Sequence, residues 1–259
     1  MLKLFTSLQN QPWVLGLVAG IIITAFNTFG ALLVFFSKKE VSQKTLDISL
    51  GFAAGLMLSA SFTSLILPGI QKGGVVPVVI GIALGALFFD WVDHHIPHTH
   101  FAGRHEGGGN RIGALWLFII AITIHNLPEG LSVGIAMGSK NFHQAIILML
   151  AIGLQNIPEG FSVAFTFFAN KMGNKVQSVW MGIKSGLVEI PLAMLGAFLV
   201  SWMHFLLPYA MGFGAGAMLY VVNDEIIPET HKKGHERLAT FGIIFGIILM
   251  LVLDMMIGT

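Results

Sequence analysis

Long apolar runs dominate the chain, separated by short polar stretches, and their lengths cluster near the ~20 residues that carry a helix across a bilayer. Runs of this kind fall at 13–36, 49–70, 74–92, 112–138, 142–169, 179–202, 205–228 and 238–257. They predict eight transmembrane helices. The fourth and fifth contain Pro128 and Pro158, which predicts kinks there. The runs are continuous rather than alternating with period two, which argues against a β-barrel. Residues 1–11 hold one lysine and no cleavage motif. The run that follows is about twice the length of a signal-peptide core, so it reads as a true span. The expected architecture is an all-α integral membrane protein, one domain over 1–259, with a polar loop at 93–111.

Composition sharpens this picture. Of 259 residues, 55% are hydrophobic and 10% charged, against about 25% charged in soluble domains. The net charge of +1 leaves no field to attract a polyanion, which excludes nucleic acid as a partner. Cysteine is absent, which removes disulfides, thiolate ligands and cysteine nucleophiles. Lysine and arginine divide unequally between alternate loops. Lys38, Lys39, Lys44, Arg104, Arg111, Lys171, Lys175, Lys184, Lys232, Lys233 and Arg237 lie on one side, and Lys3, Lys72 and Lys140 on the other. The positive-inside rule then places both termini outside the cytoplasm. Trp13, Trp91, Trp116, Trp180 and Trp202 stand near span ends, as an aromatic belt does.

Two internal repeats organise the spans. Asn126-Leu-Pro-Glu-Gly-Leu-Ser-Val133 in the fourth recurs as Asn156-Ile-Pro-Glu-Gly-Phe-Ser-Val163 in the fifth. Gly51-Phe-Ala-Ala-Gly-Leu-Met-Leu58 in the second recurs as Gly212-Phe-Gly-Ala-Gly-Ala-Met-Leu219 in the seventh, 161 residues later. Both pairs lie in spans of opposite direction. The chain therefore reads as three helices, a central pair, and three inverted helices, the plan of many alternating-access transporters. Taken alone, the glycine echo is equally consistent with close helix packing.

Glu129, Glu159 and Glu189 lie deep in apolar sequence. An acid at the bilayer centre costs at least ~2.5–3.5 kcal/mol, so each calls for a partner or a function. His125 is the one ionisable cation donor at that depth, and one imidazole does not balance three carboxylates. His125 and Glu129 share a helical face at i, i+4, as do Gln155 and Glu159. Asn126 and Asn156 stand three residues before the same glutamates. Pro128, Pro158 and Pro191 free the carbonyls of Ile124, Leu154 and Leu187. Imidazole, carboxylate and amide oxygens without thiolate suit zinc, iron(II), manganese or cadmium, at the moderate affinity that conduction requires.

These residues resemble the ZIP (Zrt/Irt-like protein) family of divalent metal transporters, in particular its prokaryotic GufA-like branch. The resemblance is carried by His125-Asn-Leu-Pro-Glu-Gly130 and Gln155-Asn-Ile-Pro-Glu-Gly160. It extends to Ser185-Gly-Leu-Val-Glu-Ile-Pro191, Gly51–Leu58, Gly216-Ala-Met-Leu-Tyr220 and Asp224-Glu225-Ile-Ile-Pro228. It implies a binuclear site between the fourth and fifth spans. His125, Glu129, Gln155, Glu159 and Met57 would hold one ion. Asn126, Asn156 and Glu189 would hold the second, with Glu129 and Glu159 bridging. Many members carry histidine at the position of Gln155 and some carry aspartate at that of Asn156, so this site is expected to be less basic and less charged.

The loop after the third span contributes Asp90, Asp93, His94, His95, His98, His100 and His105, a histidine-rich tract resembling the family's cytoplasmic loop and suited to receive or sense metal. Asp224, Glu225, Glu229 and His231 are candidates for a cytoplasmic exit, and Asp254 for an outer vestibule. The expected function is import of a divalent transition metal by elevator-like alternating access. The metal is substrate, no organic cofactor is expected, and no P-loop couples ATP. The bilayer and the metal ions are the expected partners, and a homodimer is compatible with the sequence. An intramembrane zinc hydrolase is the rival, although the chain has neither His-Glu-x-x-His nor Gly-x-Ser-x-Gly. A metal sensor without flux would use the same residues.

Overall fold

The computed structural model describes residues 2–37, 42–95, 111–169, 171–231 and 234–257, and all its regular elements are helical. After a short helix at Leu2–Ser7 come α1 (Pro12–Phe35), α2 (Lys44–Gly73), α3 (Val75–His95), α4 (Arg111–Gly138), α5 (Phe142–Ala169), α6 (Lys175–Trp202), α7 (His204–Thr230) and α8 (Glu236–Ile257). Among the described residues α1–α3 and α5–α8 are each long and apolar enough to cross a membrane, and α4 runs for 28 residues. The helices begin and end close to the apolar runs. The largest differences are at the starts of α2 and α6, which extend beyond hydrophobic sequence into polar turns. At α6 the cause is a capping box: Gln177 N–H donates to Asn174 Oδ1 at 2.9 Å, and Asn174 N–H donates to Gln177 Oε1 at 3.0 Å.

Helical structure continues through Pro128 and Pro158. The interruptions of α-helical structure fall elsewhere. The first half of α6 ends at Gly186 and the second begins at Glu189, where Pro191 has no N–H to offer the Leu187 carbonyl. The helices α2 and α7 each contain a π-helical turn, Ser61–Ile66 and Val222–Ile226, followed by a segment with Pro68 or Pro228 in its first turn. The two turns begin 161 residues apart, the same offset as the glycine echo.

That offset governs packing as well. Gly51 and Gly55 of α2 lie against the backbone carbonyls of Ala239 and Ile243 of α8, and Gly212 and Gly216 of α7 lie against those of Val78 and Ile82 of α3. Every partner in one interface has its counterpart 161 residues away in the other. Missing side chains bring the backbones into contact, the membrane counterpart of a well-packed core. The inverted repeat expected from sequence is thus present in the contacts.

Two bundles result. The helices α1, α4, α5 and α6 pack mainly on one another, while α2 packs on α8 and α3 on α7. Between the bundles lies an apolar groove of about 810 Å³ on the side of α1, α5, α2 and α8, lined by residues including Leu33, Phe36, Phe52, Ile157, Phe161 and Phe245. On the pseudo-symmetric side Leu131 and Ile135 of α4 pack against Leu207, Ala210 and Met211 of α7. The interface is open on one side and filled on the other.

Candidate metal site

The repeated motif lies where α4 and α5 pack against each other. In each copy the glycine after the glutamate admits a neighbouring backbone: Gly130 lies against Glu189 of α6, and Gly160 against Asn27 of α1. This draws α6 and α1 onto the central pair and brings the third glutamate to the other two. His125, Asn126, Glu129, Gln155, Asn156 and Glu189 are all buried, and Glu159 is half-buried.

Their polar atoms pair as follows. Gln155 Nε2 donates to Glu129 Oε1 at 2.8 Å, joining the two copies of the motif. Asn156 Nδ2 donates to Glu189 Oε1 at 2.6 Å, and Asn126 Nδ2 to the Ser185 carbonyl at 2.7 Å. Each amide thus directs its donor into the protein and leaves its oxygen for something else. Among the described residues, the two copies of the motif contribute five buried oxygens that meet no hydrogen-bond donor: Asn126 Oδ1, Glu129 Oε2, Gln155 Oε1, Asn156 Oδ1 and Glu159 Oε1. Buried acceptors without donors are costly, and a cation is the species that would satisfy them together.

The imidazole of His125 pairs with Glu225 of α7, Nε2 to Oε2, at 2.9 Å. Glu225 sits in the π-helical turn, so this contact crosses between the bundles. Met57 is fully buried on α2 in the central apolar core, which also contains Ile124. Among the described residues no three His, Asp or Glu side chains stand close enough to enclose an ion. Of the predicted ligands, Gln155 pairs with Glu129 and Asn156 with Glu189, whereas His125 pairs with Glu225 and Asn126 with a backbone carbonyl.

The outlying candidates are more dispersed. Glu229 is buried one turn beyond Glu225. His231 Nδ1 is within 2.8 Å of the Ile227 carbonyl at the end of α7. Asp90 is exposed and accepts from Tyr220 OH at 3.3 Å, whereas Asp93 is half-buried. His94 and His95 are exposed at the end of α3, and Nδ1 of His95 lies 2.8 Å from the Trp91 carbonyl. Asp254 is half-buried near the end of α8. His98, His100 and His105 lie outside the described residues.

Sequence reasoning passed over two residues of α1. Thr24 Oγ1 lies 3.2 Å from Glu189 Oε2, and Asn27 Nδ2 donates to the Gly182 carbonyl at 2.7 Å. Their i, i+3 spacing within an apolar run was the available signal. Asp47, fully buried on α2 and 3.0 Å from His235 Nδ1, was also missed.

A sequence profile described as "ZIP Zinc transporter" matches residues 93–254. The chain belongs to the ZIP family. It is 39% identical over 255 residues to the zinc transporter ZIPB of Bordetella bronchiseptica, covering 95% of this chain and 81% of that protein. It is 35% identical to the zinc transporter GufA of Myxococcus xanthus, covering 94% and 99%. With the zinc transporter ZIP11 of Homo sapiens the identity is 34%, covering 88% and 93%. The likeness to GufA agrees with the branch expected from the motifs, and these ZIP relatives are named as transporters rather than enzymes. The chain is an integral membrane protein.

Proposed function

We propose that this ZIP protein imports zinc across a bacterial inner membrane, with cadmium, iron(II) and manganese as further candidate substrates, through two adjacent ion positions between α4 and α5. The observation that carries this reading is the set of five buried donor-free oxygens contributed by His125-Asn-Leu-Pro-Glu-Gly130 and Gln155-Asn-Ile-Pro-Glu-Gly160. His125, Glu129, Gln155 and Glu159, with the Met57 thioether, form one position. Asn126, Asn156 and Glu189 form the other, and Glu129 and Glu159 bridge them. Nitrogen and oxygen ligands suit these metals. An arriving ion would replace the pairs Gln155–Glu129, Asn156–Glu189 and His125–Glu225 with metal bonds. Exchange of one set of satisfied contacts for another keeps affinity moderate, as release requires.

The proposed movement is elevator-like. All the proposed ligands but Met57 ride on α4, α5 and α6, which pack with α1; the other bundle contributes Met57, and its Glu225 pairs with His125. An interface that is open at Phe52 and Phe161 but filled at Leu131 and Met211 is the asymmetry that one of two alternating states would show. We further propose eight spans with both termini extracytoplasmic, from the division of lysine and arginine, and a cytoplasmic histidine-rich loop that relays or senses metal. Equilibrium zinc binding to the purified protein tests the site: two ions per chain are expected, with Glu129→Ala losing both. Full zinc occupancy in Glu129→Ala would refute it.

A further inference from the structure

We infer that Thr24 of α1 is a positioning residue for Glu189, holding its carboxylate while the ion is absent and yielding it when the ion arrives. The inference rests on the reading of Glu189 as a metal ligand. Thr24 is buried, and its hydroxyl lies 3.2 Å from Glu189 Oε2 and 3.0 Å from the Gly186 carbonyl. A hydroxyl has one proton to donate, so these two acceptors compete for it. The other carboxylate oxygen has a matching arrangement. Asn156 Nδ2, at 2.6 Å from Glu189 Oε1, also lies 3.5 Å from the Ile23 carbonyl. Both oxygens of Glu189 are thus held by donors that have a backbone carbonyl close by.

This arrangement matches a ligand that must be alternately free and bound. Without an ion, a buried carboxylate needs donors, and Thr24 and Asn156 supply one to each oxygen. When a cation takes Oε2, rotation about the Thr24 Cβ–Oγ bond turns the proton to the Gly186 carbonyl, so neither group is left unsatisfied. The Gly186 carbonyl is available because the first half of α6 ends there, before the break preceding Pro191. Asn27 shows that α1 positions rather than ligates. It meets Gly160 as Glu189 meets Gly130, yet it is neutral and donates to the Gly182 carbonyl at 2.7 Å. Where α6 presents a carboxylate to the central pair, α1 presents an amide tied to the backbone of α6.

The test is a double-mutant cycle on the full-length protein, reading the KM and Vmax of zinc uptake in proteoliposomes and zinc affinity by equilibrium binding. Thr24→Val keeps the shape and removes the proton. It removes a hydrogen bond to the carboxylate from the ion-free state and only one to a backbone carbonyl from the bound state, so it is expected to lower KM roughly three- to tenfold, the difference between those two kinds of hydrogen bond, with Vmax within about twofold. Thr24→Ser should restore KM. In a Glu189→Gln background, Thr24→Val should have no further effect on zinc affinity. Wild-type or raised KM in Thr24→Val would overturn the proposal, as would an equal change of affinity with and without the Glu189 carboxylate. Wild-type zinc affinity in Glu189→Gln alone would instead overturn the reading of Glu189 as a ligand.

Discussion

The glycine that closes each Asn-x-Pro-Glu-Gly motif determines where the glutamates can go. Beside Gly130 there is no room for a methyl group against the Glu189 backbone, nor beside Gly160 against Asn27. Gly130→Ala and Gly160→Ala should each destabilise the protein by about 1–3 kcal/mol through overpacking, seen as a lower unfolding temperature in detergent, and each should weaken zinc binding by moving Glu189 or α1. Unchanged stability and affinity in both would contradict this packing. The motif residues themselves were legible from sequence because uncompensated acids in apolar runs are conspicuous. Their partners were not. His125 looked like the neighbour of Glu129 one turn away, yet its 2.9 Å contact is with Glu225, 100 residues distant. Glu225→Gln removes the charge from this contact and leaves the proposed ligands in place. Zinc stoichiometry should be retained while the uptake rate changes. Loss of zinc binding would show instead that Glu225 is a ligand.

At the scale of elements, span positions were readable because the bilayer demands long apolar stretches, and the repeat because glycines at α2–α8 and α3–α7 contacts must recur with the fold. The breaks were less readable. Three prolines stood in comparable motifs, yet the helical segments divide only at the one in α6, because α4 and α5 continue through theirs while α6 turns at Leu187 and Val188. The π-helical turns at Ser61–Ile66 and Val222–Ile226 leave no mark in hydrophobic periodicity, since one extra residue per turn is too small a change to displace an apolar run. Pro191→Ala restores an N–H that can reach the Leu187 carbonyl and should close the break. Zinc affinity should then fall several-fold as Glu189 rotates away. Wild-type affinity with a repaired helix would show that the break does not position Glu189.

For the whole molecule, the pseudo-twofold organisation makes movement between bundles testable. The protein has no native cysteine, so introduced pairs have no competitors. Leu131 of α4 and Met211 of α7 belong to one apolar cluster on the filled side of the interface. Phe52 of α2 and Phe245 of α8, whose rings are 5.7 Å apart, lie within one bundle. A short bifunctional thiol reagent should arrest zinc uptake in Leu131→Cys/Met211→Cys and spare it in Phe52→Cys/Phe245→Cys. Equal transport by both cross-linked proteins would contradict movement of one bundle past the other. The most direct test of the central claim is uptake of radioactive zinc into liposomes containing the purified protein. Saturable uptake that is absent in Glu129→Ala is the predicted result. Uptake retained in Glu129→Ala, or stoichiometric zinc binding with no flux in the wild-type protein, would contradict transport through the paired motifs.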